Sequence, residues 1–403
     1  MKLLVDGFNI GLDRGTGIAS YGRGFIHAVH DLGHETTLLL GLDEADGQPT
    51  SPMRKLIDFG KAPFGYSPGP VSTDMVAKRR DIQTLPVDAI VNRRRLYRAA
   101  RGAFNRTGLF TPVRVPGMDI AHWTYPLPLY VPGACNVYTI HDAVPIQYPE
   151  MSPGGQDYRR ICAAIARRGN PILTVSERSR ADLIASLGVD PELIMNSYQA
   201  VDGWETLPPR TQGLPPLLRT HSLRDRGYFL FFGAIEPKKN VAMLLRAFEA
   251  AALDTPLVVV AAGGWDNSVE RAELARLTTG ARPRVLHVDY LPRHDLATLI
   301  RHAKATLFPS LYEGFGLPAI ESMALGTPVI TSDRGALPEV VGDAAMIINP
   351  LSLTAIRNAI RIMDSDADLA ASLAMRGLER ARLFSQSAYQ ARIGAILERL
   401  IVR

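Results

Sequence analysis

Short apolar segments alternate with longer amphipathic ones along the first half of the chain. Residues 2–6, Lys-Leu-Leu-Val-Asp, are predicted to form a strand with an apolar centre. A glycine-rich stretch follows, and apolar positions then recur at helical spacing over residues 18–32. A strand, a glycine loop and a helix in this order are typical of the opening of a parallel α/β sheet. Further strands are predicted at residues 36–40, 119–122, 136–140 and 172–175.

The alternation starts afresh in the second half. Residues 202–226 are rich in proline, glycine and charge, which predicts a linker. Beyond it, a helix is predicted at residues 241–253, and strands are predicted at residues 228–233, 256–262, 285–288, 305–308, 328–331 and 345–348. Short apolar runs bounded by helical patterns indicate parallel strands that are buried on both faces. We therefore predict an α/β protein with two doubly wound halves and a ligand site between them, at the carboxyl ends of the strands.

The composition is that of an ordinary globular protein. Of the 403 residues, 46% are hydrophobic and 21% are charged, which excludes a disordered chain, a collagen-like fibre and a coiled coil. The two cysteines, Cys135 and Cys162, have neither disulfide nor zinc spacing and are interpreted as apolar fillers. No signal peptide opens the chain and no apolar run reaches about 18 residues, so we expect a cytoplasmic protein without a membrane span.

Positive charge is concentrated in one segment. The formal net charge of the chain is +5, yet residues 54–114 contain thirteen basic and only four acidic side chains. Residues 93–106 are predicted to form a basic amphipathic helix. Its apolar stripe would consist of Leu96, Ala99, Ala100, Ala103 and Phe104. A solvated face and a nucleic-acid site are the alternatives, but no nucleic-acid motif accompanies the charge, so we expect contact of residues 78–106 with an anionic membrane surface.

The densest chemical signal lies in residues 309–321, Pro-Ser-Leu-Tyr-Glu-Gly-Phe-Gly-Leu-Pro-Ala-Ile-Glu. Glu313 follows a predicted strand and Glu321 falls about one turn into the next helix, so both carboxylates can face one pocket. The backbone amides of Phe315, Gly316 and Leu317 stand at a helix N-terminus, which suits sugar hydroxyls or phosphate. Two surface glutamates flanking a turn are the structural alternative, which would not explain the glycine and aromatic residues around one acid.

These residues resemble the signature of family 4 retaining glycosyltransferases. The resemblance continues through residues 322–330 and 337–345, and residues 233–240, Gly-Ala-Ile-Glu-Pro-Lys-Lys-Asn, resemble the phosphate-binding segment of that family. In the first half, Gly15-Thr16-Gly17-Ile18 and Thr139-Ile140-His141-Asp142 match its glycine loop and its mid-domain histidine. Residues 41–115 match nothing in the family.

The resemblance implies a GT-B fold, in which two Rossmann-like domains face a central cleft. The first domain would span residues 1–205 together with the C-terminal helix 386–403, residues 206–226 would be the linker, and residues 227–385 would form the sugar-nucleotide domain. By the same resemblance Glu321 binds the ribose, Glu313 contacts the transferred sugar, and Lys239 lies on the diphosphate with Gly17 and Gly233 close by. The family usually has an arginine at the position of Ala234, and Lys238 is the candidate to replace its charge.

Three further residues are candidates in the first half. By resemblance His141 bonds a sugar hydroxyl, with Asp142 fixing its tautomer, and a hydrogen-bonded core histidine is the alternative. His122 and Trp123 follow a predicted strand and are candidates for the acceptor side, with a purely structural role as the alternative. No Asp-x-Asp pair or histidine cluster offers a metal site, so we expect a reaction without a cofactor or metal, in which lysines and helix dipoles neutralise the leaving diphosphate.

The sequence thus predicts an enzyme that moves a hexose from a nucleoside diphosphate sugar to a polysaccharide or lipid-linked oligosaccharide, with GDP-mannose as the first choice of donor. The form Glu-Pro-Lys-Lys-Asn resembles mannosyl- and rhamnosyltransferases of bacterial surface polysaccharides, which implies a peripheral protein at the inner face of the plasma membrane. A sugar-nucleotide epimerase on the same fold and a non-enzymatic sugar-nucleotide or membrane-binding module are the alternatives. A dinucleotide oxidoreductase is disfavoured because position 20 is Ser20 where a third glycine is expected.

Overall fold

The computed structural model describes residues 1–10, 17–42, 65–71, 80–149, 152, 154–201, 216–220, 222–261, 263–264, 267–279 and 284–401. The glycine loop before Gly17 and most of the predicted linker lie outside the described residues. The chain divides into two compact units. The first comprises residues 1–175, 179–200 and 386–403, and the second comprises residues 176–178 and 201–385.

The first unit is built on an eight-stranded sheet. Its strands are β1 (Lys2–Asp6), β2 (Glu35–Leu40), β3 (Gly69–Pro70), β4 (Ala89–Asn92), β6 (Ile120–Trp123), β8 (Cys135–Thr139), β9 (Ile172–Thr174) and β10 (Ile194–Asn196), and β5 (Thr111–Pro112) pairs with β7 (Leu129–Tyr130). The sheet order is β10-β9-β8-β6-β1-β2-β4-β3, and all neighbours are parallel except β3 and β4. The order reverses between β1 and β6, and such a switch point is where open α/β sheets bind ligands.

The helices between residues 1 and 200 alternate with these strands. They are α1 (Gly17–Asp31), α2 (Arg80–Gln83), α3 (Leu96–Thr107), α4 (Val144–Gln147), α5 (Gly155–Arg167) and α6 (Glu177–Leu187). The core of the first unit includes Trp123, Tyr138 and Cys162, all fully buried. Cys162 is therefore an apolar filler as predicted, while Cys135 is half-buried, and both are free thiols.

The basic segment differs from its prediction in two respects. Helix α3 begins at Leu96 rather than at Arg93, because the Arg93 N–H donates to Leu40 O at 3.0 Å and Arg95 adopts a left-handed conformation with φ of 59°. The predicted apolar stripe of α3 is buried in the core of the first unit, so it presents no apolar face to a bilayer. On the helix itself, Arg98 and Arg106 are exposed.

The second unit has a six-stranded parallel sheet. Its strands are β11 (Phe229–Phe232), β12 (Leu257–Val260), β13 (Val285–Val288), β14 (Ala305–Phe308), β15 (Val329–Ser332) and β16 (Met346–Ile348). They lie in the order β13-β12-β11-β14-β15-β16, which is the strand order of the Rossmann fold. Its helices are α7 (Pro216–Thr220), α8 (Val241–Ala251), α9 (Ser268–Thr278), α10 (Arg293–His302), α11 (Leu317–Ala324), α12 (Leu337–Val341), α13 (Leu353–Ser365) and α14 (Ala367–Arg382).

The last helix, α15 (Gln386–Ile401), belongs to the first unit. Its Tyr389 and Ile393 are fully buried, and Gln386 Nε2 donates to Gly24 O in α1 at 3.0 Å. The aromatic rings of Tyr389 and Tyr21 lie 6.3 Å apart, centroid to centroid. A helix that follows the second unit in sequence thus completes the packing of α1 in the first.

The predicted elements agree with the structure. Every predicted strand is present, with ends that differ from the prediction by at most two residues. Strands β3, β4, β5, β7 and β10 were not predicted, and each has only two to four residues. None of the described helices has the length and apolar content that crossing a bilayer demands.

Candidate functional site

The switch point of the second unit brings two predicted site segments together. Strands β11 and β14 are neighbours in the sheet, and the strand order reverses between them. Gly233 directly follows β11 and begins the segment that contains Lys238 and Lys239, while the loop that follows β14 contains Glu313. Because both segments leave the same edge of the sheet, residues that are 74 positions apart come into contact.

Lys239 and Glu313 form a tight ion pair at this edge. Lys239 Nζ lies 2.6 Å from Glu313 Oε1, and the side chains are only 15% and 12% exposed. Ser310 also donates its hydroxyl hydrogen to Glu313 Oε1, at 2.9 Å. Burial opposes the ionisation of Glu313, but the charges of Lys239 and Lys238 and these hydrogen bonds outweigh it, so its pKa lies below the usual value. Glu313 is therefore a carboxylate at neutral pH.

Lys238 occupies a different position from Lys239. Its ammonium group lies 3.7 Å from Glu236 Oε2, and its side chain is about one-third exposed. Its charge nevertheless lowers the pKa of Glu313, so its field reaches the site. The expectation that Lys238 replaces the charge of an arginine at Ala234 is compatible with this placement and stays a prediction.

The loop that carries Glu313 is held by close backbone contacts. Gly335 has a φ of +58°, and a Cβ there would stand 2.5 Å from the carbonyl oxygen of Glu313. The next amide, that of Ala336, donates to the same oxygen at 2.9 Å. On the other side, Asn240 Nδ2 donates to Pro309 O at 3.0 Å. Sequence reasoning assigned no role to Gly335 or Ser310, although Ser310 lies within the segment 309–321 that carries the family resemblance.

The N-terminus of α11 lies directly after Glu313. Gly316 caps the helix with a φ of 100°, and a Cβ there would meet Leu337 Cδ2 at 2.7 Å, so this position requires glycine. The amides of Gly316 and Leu317 stand at the positive end of the helix dipole. The Phe315 ring is buried against Phe384 at a centroid distance of 5.3 Å, which leaves only its backbone for a ligand.

Glu321 lies one turn into α11, as predicted. Burial raises the pKa of Glu321 to about 7, although the positive charge of Arg293 opposes the shift. At neutral pH this carboxyl group is therefore divided between its acid and carboxylate forms. The two glutamates thus differ in protonation: Glu313 is ionised, whereas Glu321 is poised to lose its proton when a hydrogen-bond donor approaches.

In the first unit, His141 lies just beyond the end of β8. Its Nε2 is 2.9 Å from the carbonyl oxygen of Thr124, and its ring stands edge-on to Tyr21 at 4.9 Å. Because a carbonyl can only accept, Nε2 carries the hydrogen and Nδ1 is left with a lone pair. Burial lowers the pKa of His141, so the ring is neutral. The expectation that Asp142 fixes this tautomer is wrong, because Asp142 Oδ1 accepts from the Val144 amide and the Thr124 carbonyl binds the ring.

His122 and Trp123 do not fit the acceptor side, contrary to the expectation. Both are 1% exposed, because the final residues of β6 are covered on both faces of the sheet. His122 Nε2 lies 2.8 Å from Thr139 Oγ1, and burial lowers its pKa to about 3. Trp123 donates its indole N–H to Asn136 Oδ1 at 3.1 Å. Both residues are part of the core of the first unit.

Gly17, in the first unit, is the exposed first residue of α1 and so lies at a helix N-terminus, as predicted. The described residues contain no group of three or more His, Cys, Asp or Glu side chains placed to share a metal ion.

Comparison with known sequences finds a family model that matches much of the second unit. Residues 219–380 match the model of the family described as glycosyl transferases group 1. O-antigen chain mannosyltransferase B of Escherichia coli is 34% identical over 218 residues, 53% of this chain and 56% of that protein. MMP alpha-(1->4)-mannosyltransferase of Mycolicibacterium hassiacum is 34% identical over 248 residues, 59% of this chain and 56% of that protein. The chain thus spans a little over half the length of these curated relatives.

Solved structures share the fold along nearly the whole chain. Sucrose-phosphate synthase from Thermosynechococcus elongatus has a TM-score of 0.71 at 19% identity and covers 100% of this chain and 99% of its own. Anabaena HepE in complex with UDP and glucose has a TM-score of 0.71 at 16% identity, with 99% of both chains covered. Two Rossmann-like units in this order are the GT-B fold, as the resemblance implied.

Proposed function

Since the chain carries a domain of the glycosyl transferases group 1 family, we propose that it is a retaining glycosyltransferase that moves a hexose from a nucleoside diphosphate sugar to a carbohydrate acceptor. The observation that carries this proposal is the contact of Lys239 with Glu313 at the switch point of the second sheet. An ammonium group, a carboxylate and a helix N-terminus at one sheet edge provide what a diphosphate and the hydroxyls of a sugar require.

The roles of the residues follow from their chemistry. Breaking the bond between the sugar C1 and the diphosphate oxygen places negative charge on the leaving group, which Lys239 and the N-terminus of α11 would stabilise. Glu321 would accept hydrogen bonds from the two ribose hydroxyls, and Glu313 would accept one from the transferred sugar. His141 would accept a sugar hydroxyl through Nδ1, the nitrogen that its Thr124 contact leaves unprotonated.

Retention is proposed to proceed by front-face displacement, without metal. No carboxylate in the site is assigned as a covalent nucleophile, so the leaving phosphate itself would accept the proton of the acceptor hydroxyl. The new bond forms at C1 on the face from which the diphosphate departs, and the diphosphate leaves as the protonated product. Lysine charge and helix dipole would take the place of a divalent cation.

We propose mannose from GDP-mannose as the transferred sugar, and a polysaccharide or a lipid-linked oligosaccharide as the acceptor. The curated relatives of Escherichia coli and Mycolicibacterium hassiacum are mannosyltransferases, and one of them acts on O-antigen chains. The structural neighbour from Anabaena instead contains UDP. The experiment must therefore distinguish a guanine from a uracil nucleotide in the donor.

A donor panel tests this proposal. Thermal unfolding should be followed with GDP-mannose, UDP-glucose, GDP, UDP and NAD, each at saturating concentration. A ligand at 100 times its dissociation constant adds about 2.7 kcal/mol to the free energy of unfolding, so a true donor produces a clear shift. We expect GDP-mannose to stabilise the protein most. Stabilisation by NAD alone would favour an oxidoreductase, and turnover of a nucleotide sugar without any acceptor would favour an epimerase.

We also propose that the protein works at the cytoplasmic face of a membrane, where the basic segment contacts anionic lipid. Arg98 and Arg106 are exposed on α3, and Arg93, Arg94 and Arg95 precede the helix and are half-buried. Because the apolar stripe of α3 lies in the core, the attraction would be electrostatic only.

A further inference from the structure

Hydrogen bonds between side chains and the backbone join the carboxyl ends of three adjacent strands in the first unit. Strands β8, β6 and β1 are neighbours, and the switch point of this sheet lies between β6 and β1. Asp6 is the last residue of β1, Thr124 directly follows β6, and His141 lies just beyond β8. Asp6 is 0% and Thr124 is 1% exposed, while His141 is half-buried.

The peptide group on each side of Thr124 is fixed by one of its two neighbours. The Thr124 amide donates to Asp6 Oδ2, across the switch point. The Thr124 carbonyl accepts from His141 Nε2 at 2.9 Å. Asp6 Oδ1 accepts from the Phe8 amide at 3.0 Å, so both carboxylate oxygens are used by backbone donors. A buried carboxylate whose two oxygens both accept backbone N–H bonds acts as a clamp on the backbone.

We propose that Asp6 is a positioning residue for His141: by holding the Thr124 amide it aims the Thr124 carbonyl at Nε2 and keeps the imidazole in the tautomer whose Nδ1 accepts a hydrogen bond. The proposal rests on the proposed function of His141 as the residue that binds a sugar hydroxyl. Without the carboxylate, the Thr124 amide loses the hydrogen bond that holds it to the end of β1. The histidine can then move its hydrogen to Nδ1, which removes the acceptor.

The groups around His141 and Asp6 determine the conditions of the test. Tyr21 presents the edge of its ring to His141, and its hydroxyl bonds Thr139 Oγ1 at 3.0 Å, so it supplies packing to His141 rather than a competing partner. Burial raises the pKa of Asp6 to about 6, and Tyr97, whose hydroxyl accepts from the Gly7 amide at 3.1 Å, lies beside it. At pH 8 Asp6 is ionised and can accept both backbone bonds, which sets the condition for the test.

The test compares three variants of the full chain at pH 8. Asp6→Ala removes both acceptors, and Asp6→Asn preserves the shape but replaces one acceptor by a donor, which faces a backbone N–H. Asp119→Asn is the matched control, because Asp119 Oδ2 accepts the Lys2 amide at 2.8 Å and so joins the same two strands at their opposite ends. Protein labelled with ¹⁵N at its nine histidines is studied by NMR, and loss of a signal set in His141→Gln assigns His141.

In the wild type and in Asp119→Asn we expect one protonated nitrogen, Nε2, and one unprotonated nitrogen, Nδ1. In Asp6→Ala and in Asp6→Asn the ¹⁵N chemical shifts of the two ring nitrogens of His141 should move towards a common value, because the second tautomer becomes populated. A single Nε2–H tautomer in either folded Asp6 variant overturns the proposal. So does an Nδ1–H tautomer in the wild type, a result that needs no variant to fold.

Kinetics separate this proposal from the proposed function. With GDP-mannose as donor, Asp6→Ala should lower kcat/KM by about tenfold, the effect of one hydrogen bond, while the dissociation constant of GDP stays that of the wild type. Equal loss in Asp119→Asn would indicate a general structural effect and overturn the proposal. If the Asp6 variants change the tautomer of His141 but the wild type transfers no sugar, the proposed function is rejected. The positioning role of Asp6 is then still supported.

Discussion

Lys239 and Glu313 form an ion pair at the switch point of the second sheet, and the lysine charge keeps Glu313 ionised. In the wild type the pKa of Glu313 is lowered, so the pair stabilises the fold above the ordinary carboxyl pKa, and this stability is lost as pH falls through the lowered value. Lys239→Ala leaves a buried carboxylate without its partner, and burial then raises its pKa. The free energy of unfolding of this variant should fall by up to about 3 kcal/mol at pH 8 and by less at pH 5.

Urea unfolding at the two pH values measures this effect, and a second substitution controls it. Lys239→Ala combined with Glu313→Gln contains no buried charge at the pair and should recover most of the lost stability at pH 8. If Lys239→Ala is as stable as the wild type at pH 8, the ion pair contributes nothing to the fold. Turnover should remain low in both variants, because the charge on the leaving diphosphate has lost its lysine.

Glu321 predicts a pH dependence of donor binding. With a pKa of about 7, it is mostly protonated at pH 6 and mostly ionised at pH 8. Only the carboxylate accepts two ribose hydroxyls, so the affinity for GDP-mannose should rise roughly tenfold from pH 6 to pH 8. The diphosphate of a nucleotide sugar is a diester and carries the same charge at pH 6 and pH 8, so it does not contribute to this pH dependence. Calorimetric titration checks this, and Glu321→Gln should bind weakly with no pH dependence; an unchanged slope in that variant would assign the titration to another group.

At the scale of elements, helix α3 makes the membrane proposal testable. Each exposed basic residue near an anionic surface contributes about 1 kcal/mol, so Arg98→Gln together with Arg106→Gln should weaken binding to phosphatidylglycerol vesicles about thirtyfold at low salt. Arg271→Gln together with Arg361→Gln removes the same charge from exposed positions of the second unit and should bind like the wild type. Flotation with vesicles measures both. Wild-type protein that ignores these vesicles at low salt would show that the segment is a solvated face.

The elements that could be predicted from sequence are those with a local signal. The apolar run at residues 305–308 is fully buried, and strand β14 has the bounds that the sequence predicts. The start of α3 was wrong because the left-handed conformation of Arg95 has no local signature in a run of three arginines. His122 and Trp123 were misplaced because the end of a strand does not reveal how deeply its last residues are covered.

The positions of Glu313 and Glu321 in the second unit could be predicted from the sequence, but their contacts could not. The motif placed Glu313, Glu321 and the N-terminus of α11 correctly, because their spacing is fixed within one loop and one helix. The Lys239–Glu313 pair and the Asp6–Thr124 bond join residues from different strands, and only the strand order brings them together. Long-range contacts of this kind arise from topology, which a local pattern does not contain.

At the scale of the whole molecule, the chain contains two Rossmann-like units, and the second carries the groups suited to a nucleotide sugar. The activity that we propose is transfer of a sugar with retention and without metal. The most direct measurement is an NMR time course with GDP-mannose as donor, octyl α-mannoside as the acceptor probe, and excess EDTA. We predict a new mannosidic bond with the same anomeric configuration as the donor, formed at a rate that EDTA does not change. A product of inverted configuration, or complete loss of transfer in EDTA that added metal restores, would contradict the account.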